Sequence, residues 1–144
     1  MKEVTMSNAV AGVGTQFKRG DGASSETFTA IAEITRIGGP GQTRELIDVT
    51  SLDSTGGWRE FIAGFRDGGE LTLEMNFTLD GYSEMLTDFL SDDSVNYQIV
   101  LPNTEASVLD FAGFVMDLPL DIDPADAIKL NVTIKLTGAV SLTS

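Results

Sequence analysis

The side chains that carry most enzyme chemistry are missing from this sequence. Its 144 residues contain no cysteine and no histidine. Thiol nucleophiles, thiolate zinc sites, disulfide scaffolds and imidazole general bases are therefore excluded, along with a Ser-His-Asp relay. Two groups with ligand-like spacing remain. Gly12-Val13-Gly14 leads to Lys18-Arg19-Gly20, but the order is not that of a phosphate-cradling loop, with no strand expected before it and no helix after it. Asp117, Asp121, Asp123 and Asp126 supply the oxygens a hard cation prefers. After Asp121 and Asp123, however, the next ligand position is Ala125, and the glycine and closing glutamate of a calcium loop are absent. Pro119 and Pro124 suit a turn-rich connection instead. Nothing marks a carboxylate pair for glycoside hydrolysis. The expectation is a protein without metal, cofactor or catalytic centre. Asn76-Phe77-Thr78 and Asn131-Val132-Thr133 match a glycosylation triplet, but both sit in strand-like segments and read as chance.

The elements that would position any site are mostly strands. Glu70 to Asp80 alternates, with Leu71, Leu73, Met75, Phe77 and Leu79 on one face. Glu70, Thr72, Glu74, Asn76, Thr78 and Asp80 lie on the other, as in a long half-buried strand. Residues 128–140 alternate in the same way, and shorter strands are expected over 28–37, 43–49, 95–101 and 108–117. One segment follows the helical period. Over 82–90, Tyr82, Met85, Leu86, Phe89 and Leu90 form an apolar face, while Ser83, Glu84, Thr87 and Asp88 face outward. Gly81 is expected to end the strand before it. Length and a 42% apolar content fit one domain spanning 1–144 with a real core. The fold class expected is mainly β: an antiparallel β-sandwich or partly closed barrel with one short flanking helix. Residues 1–16 are expected to form a flexible arm. They lack the apolar core of a signal peptide, and no apolar run is long enough to span a bilayer, so a soluble protein kept in a reducing compartment is expected.

Residues 50–69 fit none of these elements. The stretch holds five glycines yet carries Trp58, Phe61, Ile62 and Phe65. A loop this long is usually functional or disordered, and disordered loops do not carry that much apolar surface. It could fold back over its own core, or it could dock on a partner through Trp58, Arg59 and Arg66, types that anchor interfaces. Charge is uneven as well. The formal net charge is −13, which argues against gripping nucleic acid or anionic lipid. Between Asp67 and Ile128 there are fourteen acids and no Lys or Arg. That serves solubility, or it makes a surface that repels a polyanion.

Residues 45–54 (ELIDVTSLDS) and 57–72 (GWREFIAGFRDGGELT) resemble the tail tube proteins of long-tailed bacteriophages. The segment Gly113-Phe114-Val115, the turn at Asp117-Leu118-Pro119 and the closing strand from Leu130 to Gly138 agree with the same family. The resemblance implies a structural virion protein that self-assembles into stacked hexameric rings, forming a hollow tube that conducts DNA into the host without sequence-specific binding. It implies that residues 50–69 reach the neighbouring ring, with Trp58, Arg59, Phe61, Phe65 and Arg66 as contacts, and that the arm up to about Gln16 helps stacking. Glu70, Thr72, Glu74, Asn76, Thr78 and Asp80 become candidates for the lumen wall, where an anionic bore would keep DNA from sticking. Partners implied are other copies of the chain, a tape measure protein, tail tip or distal tail proteins and a tail terminator. No membrane partner and no cofactor are implied, and the setting is a virion tail whose subunits are made in the host bacterial cytoplasm. The rival readings are a related injection tube (contractile tail, bacteriocin or type VI secretion inner tube) and a monomeric β-sandwich binding module.

Overall fold

A computed structural model describes residues 10–143. Ten strands and one helix follow in order: β1 (Gln16–Gly20), β2 (Phe28–Ala30), β3 (Ile34–Gly38), β4 (Thr43–Asp48), β5 (Phe61–Asp67), β6 (Glu70–Asn76), α1 (Leu79–Leu90), β7 (Val95–Val100), β8 (Val108–Asp117), β9 (Leu120–Asp121) and β10 (Lys129–Thr143). An antiparallel sheet runs β2-β1-β7-β8-β10-β6-β3, with β9 added on β10. It is not closed into a barrel. β4 and β5 pair only with each other.

Alternation builds the core. Leu71, Leu73 and Met75 of β6 stand opposite Ile134, Val132 and Leu130 of β10, and all six are buried. Burying side chains of this size contributes roughly 1.5–3 kcal/mol each before chain entropy is charged against it. Phe17, Tyr97 and Phe111 join the same core from β1, β7 and β8, and Met85 joins it from α1. Phe17 stacks on Tyr97 with ring centroids 5.3 Å apart.

Several expected boundaries move. The strand expected over 28–37 is two strands at opposite edges of the sheet. Ile31 turns into the core and Glu33 adopts φ 63°, so the chain leaves one edge and crosses to the other. β6 ends at Asn76 rather than Asp80. Thr78 caps α1, its hydroxyl accepting from the Gly81 N–H at 3.1 Å, and Asp80 lies in the first helical turn. Phe77 and Leu79 prolong the period of two, which hid the cap. Gly81 lies inside the helix, not at a strand end. The buried face of α1 also differs: Gly81, Met85 and Asp88 point inward, while Phe89 and Leu90 are exposed. Asp88 takes an inward place because Arg19 and Tyr97 meet it there. Most of the region 50–69 is ordered structure, with a short 3-10 turn at Thr55–Gly57 followed by β5. Gln16 belongs to β1, not to an arm. Residues 1–9 of the expected arm lie outside the described residues.

Candidate functional site

The site grows out of a single long hairpin. β3 and β6 pair inside the main sheet, Gly38 opposite Thr72. Their continuations β4 and β5 pair outside it, from Thr43 opposite Asp67 to Asp48 opposite Phe61. The hairpin leaves the sheet at two glycine-rich crossings. Gly39 and Gly69 have φ of 103° and 77°. A Cβ on Gly39 would meet the Glu70 carbonyl oxygen at 2.6 Å, and one on Gly69 would overlap the Gly41 carbonyl. Only glycine fits both the dihedral and the close approach. Gly69→Ala is therefore expected to cost about 1–3 kcal/mol and to swing the ribbon off its axis. Urea unfolding and an assembly assay check this, and an unchanged midpoint with unchanged assembly would refute it.

The ribbon's base is tied to the body. Asp67 accepts from Lys135 Nζ at 3.0 Å and from the Gly69 N–H at 2.8 Å, and the Gly69 carbonyl accepts from the Leu136 N–H at 3.0 Å. These donors, the Gly69 N–H first and then Lys135, hold the Asp67 carboxyl below its ordinary value. A depressed carboxylate stabilises the fold above the usual carboxylate range and loses that contribution as pH falls through it.

The tip is held by its own hydrogen bonds. The Glu60 N–H donates to Thr50 Oγ1 at 2.8 Å, Ser54 Oγ donates to Glu60 Oε2 at 2.7 Å, and Arg59 donates to Asp48 Oδ2 at 3.0 Å. Thr50, through its side chain first and then its N–H, lowers the Asp48 pKa together with Arg59.

Among the described residues, nothing buries the ribbon's apolar side chains. Every residue of β4 is exposed. Trp58 is 77% exposed, Phe61 50% and Phe65 87%. Leu46, Ile47, Leu52 and Ile62 are exposed as well. Leu46 pairs with Ala63 and Ile47 with Ile62, so adjacent cross-strand pairs put apolar groups on both faces. An uncovered apolar surface of this kind marks an interaction site. Arg44 stands directly opposite Arg66, a like-charge juxtaposition that destabilises an isolated ribbon.

The structure thus brings Trp58, Arg59, Phe61, Phe65 and Arg66 together on one projection. Arg59 is turned inward along the ribbon to Asp48. Leu46, Ile47 and Arg44 were missed as members of it, because residues 43–49 read as a short strand separate from the stretch 50–69. The glycine clusters at 38–41 and 68–69, which flank both strands, were the available signal.

The wall candidates divide. Glu70, Thr72, Glu74 and Asn76 share the outward face of β6, opposite Lys135, Thr133, Asn131 and Lys129 of β10. Thr78 and Asp80 leave this face for the helix. It is not purely acidic: Arg36 contacts Glu74 at 3.4 Å and Lys129 donates to Asn76 at 3.3 Å. Of the carboxylates once weighed as cation ligands, Asp123 and Asp126 accept backbone N–H groups of Ala125 and Ala127, as turn residues do. No helix among the described residues is long and apolar enough to cross a membrane.

An open antiparallel sheet with one helix, carrying a braced apolar ribbon that its own core does not cover, is the form of a structural subunit completed by other chains. The chain belongs to the lambda phage tail tube protein family, whose model matches residues 10–143. It is a structural protein of the virion tail. Its fold is similar to a chain in the tail of an empty gene transfer agent particle with C6 symmetry, at 24% identity and a TM-score of 0.77, covering 94% of this chain and 100% of that one. It is also similar to a chain of an extracellular contractile injection system's sheath–tube complex in the extended state (12% identity, TM-score 0.71, 96% and 94% covered). The SPP1 tail tube is a third (9% identity, TM-score 0.69, 94% and 80% covered). A comparison with curated proteins finds no match.

Proposed function

We propose that copies of this chain form rings of six, and that the rings stack through the β4–β5 ribbon into a hollow tube through which phage DNA passes into the host. The single observation that supports this reading is the ribbon itself: an ordered projection whose apolar residues stay exposed among the described residues. Trp58, Phe61 and Phe65 are its contacts, with Arg66 beside them, and Arg59 shapes the tip. The sixfold number draws on the C6 symmetry recorded for the gene transfer agent tail. A contact between unlike surfaces that does not close on itself generates a filament, and neighbouring copies would pair the open edges at β2 and β3.

The outward face of β6, with Glu70, Thr72, Glu74 and Asn76, is a candidate wall. Its carboxylates are balanced by Arg36, Lys129 and Lys135, so a wall built from it would be close to neutral rather than strongly anionic. Polyanion repulsion would then come from exposed acids elsewhere between Asp80 and Asp126, Asp88 being buried against Arg19. The chain acts without catalysis. Its partners are further copies, a tape measure protein inside the tube, a terminator at one end and tip proteins at the other. The similarity to a sheath–tube complex favours a second reading, the inner tube of a contractile system, which differs by the sheath around it.

At high concentration the purified protein is expected to show hollow rings or tubes in negative-stain electron microscopy, with mass in multiples of six chains. A strict monomer that also fails to add to the tail-tip complex of a matching phage would overturn the proposal in favour of a monomeric binding module.

A further inference from the structure

Among the described residues, one ion pair joins the ribbon to the rest of the fold: Asp67, the last residue of β5, with Lys135 of β10. The other three pairs lie within the body or within the ribbon. Lys135 stands directly opposite Glu70, yet its ammonium goes to Asp67, donating to Oδ1 at 3.0 Å and to Oδ2 at 3.2 Å. Asp67 Oδ1 also accepts from the Gly69 N–H at 2.8 Å. One carboxylate thus joins the end of the ribbon, the glycine crossing and the long strand of the body. Beside this point residues 42–44, 66–68 and 136–140 line a groove of about 720 Å³. The ribbon's base is therefore not packed down on β10 there and has room to swing. Asp67 is the only acid in that lining, next to the opposed Arg44 and Arg66, so no second carboxylate there could take its place.

We propose that Asp67 and Lys135 are positioning residues that hold the ribbon in one direction in the free subunit, and so set the ease and the twist with which rings stack. The inference rests on the stacking reading above and names what aims the ribbon. The pair's weight is not in the stability of the subunit. Lys135 and Asp67 are 40% and 56% exposed, and an exposed pair adds little to a fold. Its place gives it leverage. Phe61 and Asp67 are the two ends of β5, about 20 Å apart at the rise of an extended strand. A tilt of about 10° at Asp67 then moves Phe61 by roughly 3–4 Å, a distance that separates contact from a miss. A ribbon already held in its docking direction also loses less freedom when it binds.

Because the native chain has no cysteine, spin labels can be placed cleanly at Leu52→Cys on the ribbon's tip and Leu90→Cys on α1, both exposed positions. Electron–electron double resonance on the unassembled subunit then reads the ribbon's direction, and the labelled parent is expected to give one narrow distance distribution. Lys135→Met should broaden that distribution while leaving circular dichroism and the urea midpoint unchanged. It should also raise the concentration needed for tube growth by about tenfold, because every ribbon in a ring loses its pre-ordering. The tubes that do form should show a changed or variable twist between rings in cryo-electron microscopy. Asp67→Asn should act in the same direction. Lys135→Arg should restore the narrow distribution and normal growth, and Glu70→Gln, which removes the other acid beside Lys135, should change neither. A Lys135→Met distribution as narrow as the parent's would overturn the positioning role while leaving the ribbon's docking role intact. A broadened distribution with unchanged growth and twist would overturn the link between the ribbon's direction and stacking. Tubes formed by Trp58→Ala/Phe61→Ala protein would instead overturn the stacking reading beneath it.

Discussion

Trp58→Ala combined with Phe61→Ala is expected to abolish tube formation and to leave the subunit as stable as before. Both residues are half-exposed or more, at 77% and 50%, and neither belongs to the core cluster. Exposed substitutions away from caps, networks and strained backbone usually change stability by less than about 0.5 kcal/mol. Aromatic anchors at the centre of an interface cost about 2 kcal/mol or more each on truncation. Two of them at every ribbon contact would weaken that contact by about 4 kcal/mol, roughly a thousandfold in affinity. A stacked ring makes the same contact once per subunit, so the loss is repeated around the ring and no stack survives it. Sedimentation and electron microscopy read the assembly, and thermal unfolding reads the subunit. Leu73→Ala is the contrasting control: Leu73 is fully buried, so the expected cost of about 2–5 kcal/mol falls on the fold. Tubes of normal length from the double variant would sink the ribbon's role.

The difference between those two variants shows what could be read from the sequence. Leu73 was legible as core because a period of two over β6 and β10 has one simple solution, a half-buried strand, and the register pairs those faces as the alternation implies. The ribbon was legible as an apolar-bearing exception to the strand pattern through Trp58, Phe61 and Phe65 in a glycine-rich setting, and these residues are exposed. Its form was not legible. The register shifts between Arg44 and Leu46, and that irregularity breaks the alternation of β5 while leaving the pairing intact. In β4 the neighbours Leu46 and Ile47 marked a strand, but sequence alone cannot show whether its apolar groups meet a core or open solvent. The end of β6 failed for a different reason. Thr78 accepts from the Gly81 N–H, a local capping bond that overrides a pattern which Phe77 and Leu79 would otherwise have continued. The wall candidates Thr78 and Asp80 were lost with it.

Asp88→Ala is expected to be among the most damaging single substitutions for the fold, although Asp88 reads as an outward-facing helix position. Its side chain is nearly inaccessible and accepts from Arg19 Nε at 2.7 Å and from the Tyr97 hydroxyl at 2.8 Å. Three elements meet at this carboxylate: β1 through Arg19, β7 through Tyr97, and α1, which carries it. Arg19 lies 69 positions away in sequence, which is why no local pattern reveals the contact. The electrostatics agree with the geometry. The hydrogen bond to Asp88 raises the Arg19 pKa, and burial first, then Asp88, pushes the Tyr97 hydroxyl far up. Both partners are thereby kept as donors. Removing the carboxylate leaves a partly buried guanidinium and a buried phenol without their acceptor, and breaking a buried ion pair from one side costs about 3–5 kcal/mol. With a urea slope of about 2 kcal/mol/M, the midpoint should fall by roughly 2 M. Adding Arg19→Met to Asp88→Ala should recover part of the loss, since the uncompensated charge is then gone, and the cycle should show a coupling of about 0.5–3 kcal/mol. Asp88→Ala is therefore expected to lose stability, whereas Trp58→Ala/Phe61→Ala loses stacking alone. An unchanged urea midpoint for Asp88→Ala would show that the network contributes nothing net to the fold.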